Sequence, residues 1–221
     1  MRTPDYWPRA CAELAAADHQ LGELMTRYAG EGLSSHGDSF VTLARAIVGQ
    51  QISVRAADAV WLRLEQGLTG TPRTTPLDGS ADTVGLTPTL ILKTDGAALR
   101  ACGLSWRKVD YLRDLAQHFA DGRLGPQVFA GADDAELLQR LTAVRGIGRW
   151  SAEMFLIFHL LRPDVLPLDD IGLLRAVGLL YGDGSPADAD TTRQIAERWA
   201  PWRTVATWYL WRALDPVPVA Y

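Results

Sequence analysis

Residues 145–149 read Arg-Gly-Ile-Gly-Arg and stand between two helical patterns, 133–144 and 149–161. Two glycines around one apolar residue suit a backbone that something must approach closely. A helix starting near Arg149 leaves unpaired N–H groups at its head, and these groups together with the helix dipole make a site for an anion. Arg145 and Arg149 add positive charge, Gly146 and Gly148 let a phosphate rest against the main chain, and Ile147 can tuck between the helices. Such a turn can grip a nucleic-acid backbone without reading its sequence. It can equally be a tight interhelical connection in which glycine only caps. A second reactive group is the acid pair Asp169-Asp170, which precedes the apolar run 171–181. An Asp in that place caps a helix, and the helix N-terminus favours its anionic form. Aromatic rings are the third feature. Four of the eight tryptophans fall between Trp199 and Trp211, where packing of C-terminal helices accounts for Trp199, Trp202 and Trp208.

The totals narrow the chemistry. The formal charge of −4 argues against a chain that coats nucleic acid. Charge is distributed unevenly, however. Arg140, Arg145 and Arg149 lie between Glu136 and Glu153 with no acid among them, as do Arg198, Arg203 and Arg212 between Glu197 and Asp215. These runs are either focused basic faces on an acidic protein or solvated helix faces. Two cysteines, Cys11 and Cys102, cannot supply the four ligands of an iron–sulfur cluster and suit a reducing cytosol. No signal peptide and no apolar run long enough to cross a bilayer is present, so no membrane partner is expected. Lysine is scarce, with only Lys93 and Lys108 against twenty arginines.

The elements that must position these groups are helical throughout. A helix is expected over 8–28. Asp38 or Ser39 caps the next, Ser53 caps "VRAADAVWLRLEQGL", and Ser105 caps "WRKVDYLRDLAQHFADG". Short helices open at Thr87-Pro88 and at Asp95, and residues 71–85, rich in Thr, Pro and Gly, read as a loop. After the turn at 145–149, Pro163 and Pro167 break the chain, a helix starts at Asp169 or Asp170, and helices from Thr191 and Pro201 precede a tail, "DPVPVAY". The fold class is all-α, with about ten short helices.

The segments "LTAVRGIGRWSAEMFLIF" and "LPLDDIGLLRAVGLLYG" together resemble the helix-hairpin-helix motif and catalytic-Asp segment of the helix-hairpin-helix DNA glycosylase superfamily, most closely the DNA-3-methyladenine glycosylase II family. "LARAIVGQQISVRAADAVWLRL", "GLSWRKVDYLRDLAQHFADG" and "AERWAPWRTVATWYLWRAL" are similar to further blocks of that family, in the same order, so the resemblance covers about residues 38–214. Larger members carry an additional N-terminal β-rich domain. This chain starts almost directly at the helical core and is read as a short member.

The resemblance implies two helical lobes with an intervening cleft: 37–160 holding a wedge loop and the hairpin, and 1–36 plus 161–221 holding the catalytic acid. It implies that Asp170 stabilises positive charge on the sugar and directs water, and that Trp150 and Trp211 line the pocket of an extruded base. An aromatic wall suits a cationic alkylated base. It places DNA contacts at Gln51, Arg145, Gly146, Gly148 and Arg149, with Gln51 filling the gap left by the flipped nucleotide. It also allows Na⁺ or K⁺ on the backbone carbonyls of Thr142, Val144 and Ile147, with no cofactor required. Bifunctional members carry a Lys two residues after the second hairpin glycine, where this chain has Trp150. The implied enzyme is a monomeric, monofunctional glycosylase acting on alkylated bases in double-stranded DNA of the bacterial nucleoid. A non-catalytic DNA-binding protein, a glycosylase for deaminated or mismatched bases, and a helical protein with no nucleic-acid role are the alternatives. Ile171, Arg212 and Met154 stand where larger members have aromatics, which implies a more open or differently selective pocket.

Overall fold

A computed structural model describes residues 3–35, 37–70 and 85–214. The expected 71–85 loop, save its last residue, and the expected C-terminal tail lie outside the described residues. The described chain is all-α: thirteen α-helices and one 3₁₀ turn, with no strand among the described residues. In chain order they are α1 (Trp7–Ala17), α2 (His19–Arg27), α3 (Ser39–Gly49), α4 (Val54–Thr69), α5 (Pro88–Lys93), α6 (Gly96–Ala101) and α7 (Trp106–Ala120). Then follow α8 (Pro126–Gly131), α9 (Asp134–Thr142), α10 (Arg149–Phe158), α11 (Ile171–Tyr181), α12 (Ala189–Ala196), the 3₁₀ turn Glu197–Trp199 and α13 (Arg203–Leu214). No described helix is long and apolar enough to cross a membrane.

The starts of these helices follow from side-chain capping. Asp38, Ser53, Thr87, Asp95, Ser105, Asp133, Asp170 and Asp188 each accept a hydrogen bond from an N–H of the first turn they precede. Two features depart from the sequence reading. The helix expected over 8–28 is broken at Asp18, which is extended (φ −144°, ψ 104°) and accepts from the N–H groups of Gln20 and Leu21. The break is held from far along the chain: the buried Asp18 carboxylate also accepts from the Tyr181 hydroxyl (2.9 Å) and the Trp199 indole (3.1 Å). The additional helix α8 begins at Gly125-Pro126, a Gly that turns the chain followed by a Pro suited to the first helical position.

The chain divides into two compact units, Met1–Ser35 with Leu156–Tyr221, and His36–Phe155. The first unit packs α1, α2, α11 and α13 together around Leu14, Leu21, Leu173, Val205 and Trp199. In the second, α7 lies against α3, α5 and α6, and its stripe of Val109, Leu112, Leu115 and Ala116 is buried.

Candidate nucleic-acid interface and catalytic carboxylate

The turn between α9 and α10 uses its two glycines differently. Gly146 has φ +89°, and a Cβ there would lie 2.2 Å from Cδ2 of the Tyr111 ring. Glycine at 146 is therefore required by the fold itself. Gly148 has ordinary backbone angles, and an added Cβ would meet nothing within 4 Å. Its carbonyl accepts from the Ala152 N–H (3.0 Å), which places it at the N-cap of α10. Packing gives no reason for glycine at 148; the N-cap position, which favours glycine over alanine, gives a modest one. Ile147 is buried (5 % exposed).

The turn at 49–53 lies beside this hairpin. Gln50 Nε2 donates to the Gly146 carbonyl at 2.7 Å. Gln51 is exposed and has φ +60°, a left-handed conformation that costs a non-glycine residue about 1–2 kcal/mol. Lys108, from α7, donates to the carbonyls of Val48 (2.7 Å) and Gln50 (2.8 Å). Burial, and secondarily the charge of Arg107, push the Lys108 ammonium below the usual lysine range. Gln50, Gln51, Arg107, Lys108, Tyr111 and residues 146–148 line one groove of about 430 Å³.

The basic runs seen in the sequence are largely neutralised. Arg140 pairs with Glu136, Arg149 with Glu153 and Arg145 with Asp114, whose carboxylate also accepts from the Arg145 N–H at 2.8 Å. Arg198, Arg203 and Arg212 pair with Asp18, Asp164 and Glu31. Scanning for acids within each run missed these partners, which come from the run's flanks or from helices and loops distant in sequence. Arg145 and Arg149 nevertheless keep most of their side-chain surface in solvent (62 % and 65 %).

Asp170 caps α11: its Oδ1 accepts from the Leu173 N–H at 2.7 Å and from the Trp211 indole N–H at 2.8 Å. Two donors on one oxygen fix the plane of the carboxylate. Trp211 is held in turn by Phe158, with stacked rings 5.5 Å apart and 11° from parallel. Gly172 lets the indole in, since a Cβ there would stand 3.0 Å from Asp170 Oδ1 and 3.3 Å from the Trp211 ring. The loop leading to Asp170 is tied to the head of α13. Arg203 grips Asp164 with Nε (2.7 Å) and an Nη (2.6 Å), and Thr204 donates to the Arg162 carbonyl and accepts from the Val165 N–H. Arg203 and Thr204 lie about two turns before Trp211 on the same helix, so α13 braces both ends of the segment. The sequence reading missed Gly172, Arg203 and Thr204. A glycine in the first turn of α11 was the one local signal.

Trp150 is the second residue of α10 and is 39 % exposed. The three departures from the family's aromatics resolve differently. Ile171, beside Asp170, is 72 % exposed. Met154 is buried in packing, and so does not stand open to a ligand. Arg212 is buried, paired with Glu31 and stacked on Tyr28 and Trp208, so its charge turns neither to a base nor to a phosphate. No group of His, Cys, Asp and Glu suited to a metal ion occurs among the described residues. Within the turn, the Val144 carbonyl accepts from the Ile147 N–H (3.1 Å).

Comparison with known proteins gives the family of this chain. Residues 44–201 match the HhH-GPD superfamily base excision DNA repair protein family. The chain is 31% identical over 194 residues to DNA-3-methyladenine glycosylase 1 of Schizosaccharomyces pombe, covering 87% of this chain and 80% of that protein. It superposes on the crystal structure of a DNA-3-methyladenine glycosidase from Bacillus halodurans with a TM-score of 0.82 and 34% identity, covering 97% of this chain and 93% of that one. A Schizosaccharomyces pombe 3-methyladenine DNA glycosylase in complex with abasic DNA gives a TM-score of 0.72 at 30% identity, covering 96% of this chain and all of that one (100%).

Proposed function

The chain belongs to the HhH-GPD superfamily of base excision DNA repair proteins, and we propose that it is a monofunctional DNA glycosylase that flips and excises alkylated bases from duplex DNA. The substrates are of the 3-methyladenine and 7-methylguanine type. The carrying observation is the Asp170 carboxylate, oriented on one oxygen by the head of α11 and by the Trp211 indole.

In the proposed reaction the C1′–N bond breaks and its electron pair leaves with the base. An alkylated base carries positive charge and departs as a neutral molecule, so little acid catalysis is needed. Positive charge develops on the sugar, and the fixed Asp170 anion stabilises it. Water adds at C1′ and gives up a proton, with Asp170 as acceptor or relay, leaving an abasic site. Trp150 and Trp211 are each assigned as aromatic contacts of the extruded base. Gln51 fills the stack behind it. The α10 head with Gly146 and Gly148, together with Arg145 and Arg149, holds the phosphates. Carbonyls of Thr142, Val144 and Ile147 would hold Na⁺ or K⁺, adding positive charge at the phosphate contact.

The absence of strand cleavage is supported by the lysines. Trp150 stands where an amine nucleophile would be, and the Lys108 ammonium is committed to two carbonyls. The test is to incubate methylated duplex DNA with the protein and identify the free bases by chromatography. Release of methylated purines with the strand intact until alkali is added is the expected result. Release of no methylated base overturns the substrate assignment. A borohydride-trapped adduct with a nicked strand overturns the monofunctional one.

A further inference from the structure

Gln51 is one of two described non-glycine residues with positive φ, and a residue in that conformation persists only where its surroundings over-determine it. The surroundings are identifiable. Lys108 holds the Val48 carbonyl, in the last turn of α3, and the Gln50 carbonyl, immediately before Gln51. An ammonium there also faces the negative end of the α3 dipole. Gln50, between these carbonyls and Gln51, reaches across to Gly146 in the hairpin. The turn is thus fastened from below by α7 and from the side by the hairpin. The residue type is informative as well. In a chain with twenty arginines and two lysines, a lysine stands at this point. A compact ammonium with rotatable donors serves two carbonyls 2.7 and 2.8 Å away, while a planar guanidinium has a different reach and fork.

We propose that Lys108 is a positioning residue for the intercalating turn: it sets the left-handed conformation of Gln51, and with the Gln50–Gly146 bond it sets the register of the wedge against the hairpin. This rests on the glycosylase reading above. Extrusion of the nucleotide depends on Lys108, and the grip on phosphates does not, because its donors point to the protein's own carbonyls.

The test uses a duplex with a fluorescent adenine analogue beside an alkylated base, and compares wild type, K108M, K108R and Q50A. Stopped-flow fluorescence reports extrusion, and titration against salt reports phosphate contacts. K108M should slow extrusion at least about tenfold while leaving affinity for undamaged duplex and its salt slope unchanged. K108R keeps the charge but not the geometry, and should stay impaired. Q50A, which removes the bridge to the hairpin, should show the same pattern, and it carries the test if the melting curve shows K108M to be unfolded. Extrusion by K108M at the wild-type rate overturns the proposal. So does recovery in K108R with a salt slope that falls by about one in K108M, the signature of a direct phosphate contact. A wild-type protein that gives neither a fluorescence change nor base release fails the glycosylase reading instead, and is distinguished by that.

Discussion

The two hairpin glycines offer a paired substitution whose outcomes should diverge. At Gly146, alanine must adopt φ +89°, at about 1–2 kcal/mol. Its Cβ would also sit 2.2 Å from the Tyr111 ring, and relieving such an overlap costs about 1–3 kcal/mol. The sum is about 2–5 kcal/mol, or a fall in Tm of roughly 4–20 °C for a chain of this size. At Gly148 the added methyl group meets nothing within 4 Å and the backbone angles are ordinary. A helix N-cap prefers Gly to Ala, while loss of unfolded-state freedom acts the other way, so stability should change by less than about 1 kcal/mol. The methyl group would instead occupy the space assigned to a phosphate, and binding should weaken about tenfold or more. Circular-dichroism melting and fluorescence anisotropy with a duplex carrying an abasic analogue separate the two effects. G148A binding that duplex as tightly as wild type would refute the assignment of the open turn to DNA. Equal thermal losses in both variants would refute the division of labour between the glycines.

Further outcomes follow from the same contacts. Trp211→Phe keeps the stacking on Phe158 but removes the N–H that Asp170 accepts. A hydrogen bond to a charged group contributes about 1.5–3 kcal/mol, so single-turnover base release should slow about 10- to 100-fold; an unchanged rate would show that the indole does not orient the acid. Asp18→Ala leaves a buried indole, a hydroxyl and two backbone N–H groups without their acceptor, and should cost about 3–5 kcal/mol in urea unfolding. Burial pushes the Tyr6 hydroxyl, which donates to the Leu161 carbonyl, up to about 12; burial also raises Tyr181 and Tyr209. An unfolded tyrosine ionises near 10. The stability these groups provide is therefore whole below pH 10 and is lost as pH rises toward 12, where urea midpoints should fall, less steeply in Tyr6→Phe.

The features legible in the sequence are those whose causes are local. Asp38, Ser53, Ser105 and Asp170 were readable as caps because an N-cap is satisfied by N–H groups two or three residues on. The Gly-Ile-Gly turn was readable because backbone freedom is a property of the residue. Features decided by distant partners were hidden. The break at Asp18 is held by Tyr181 and Trp199, 163 and 181 residues away. The arginine runs looked basic because Asp114, Asp164 and Glu31 lie far along the chain from Arg145, Arg203 and Arg212. Arg212 was read as a departure within a pocket, but a glutamate and two aromatic rings hold it in the packing. Lys108 lies in a segment with no motif of its own chemistry, and its link to the turn at 49–53, about sixty residues earlier, exists only after α7 has packed on α3.

The central claim is that the anionic side chain at 170 drives breakage of the glycosidic bond. Asp170→Asn keeps an oxygen able to accept from Leu173 and Trp211 while removing the charge. Single-turnover release of a methylated purine from a duplex of defined sequence, measured beside anisotropy on the abasic analogue, decides it. Release should fall by about a hundredfold or more while binding stays near the wild-type value. Base release by Asp170→Asn at the wild-type rate would contradict the claim outright.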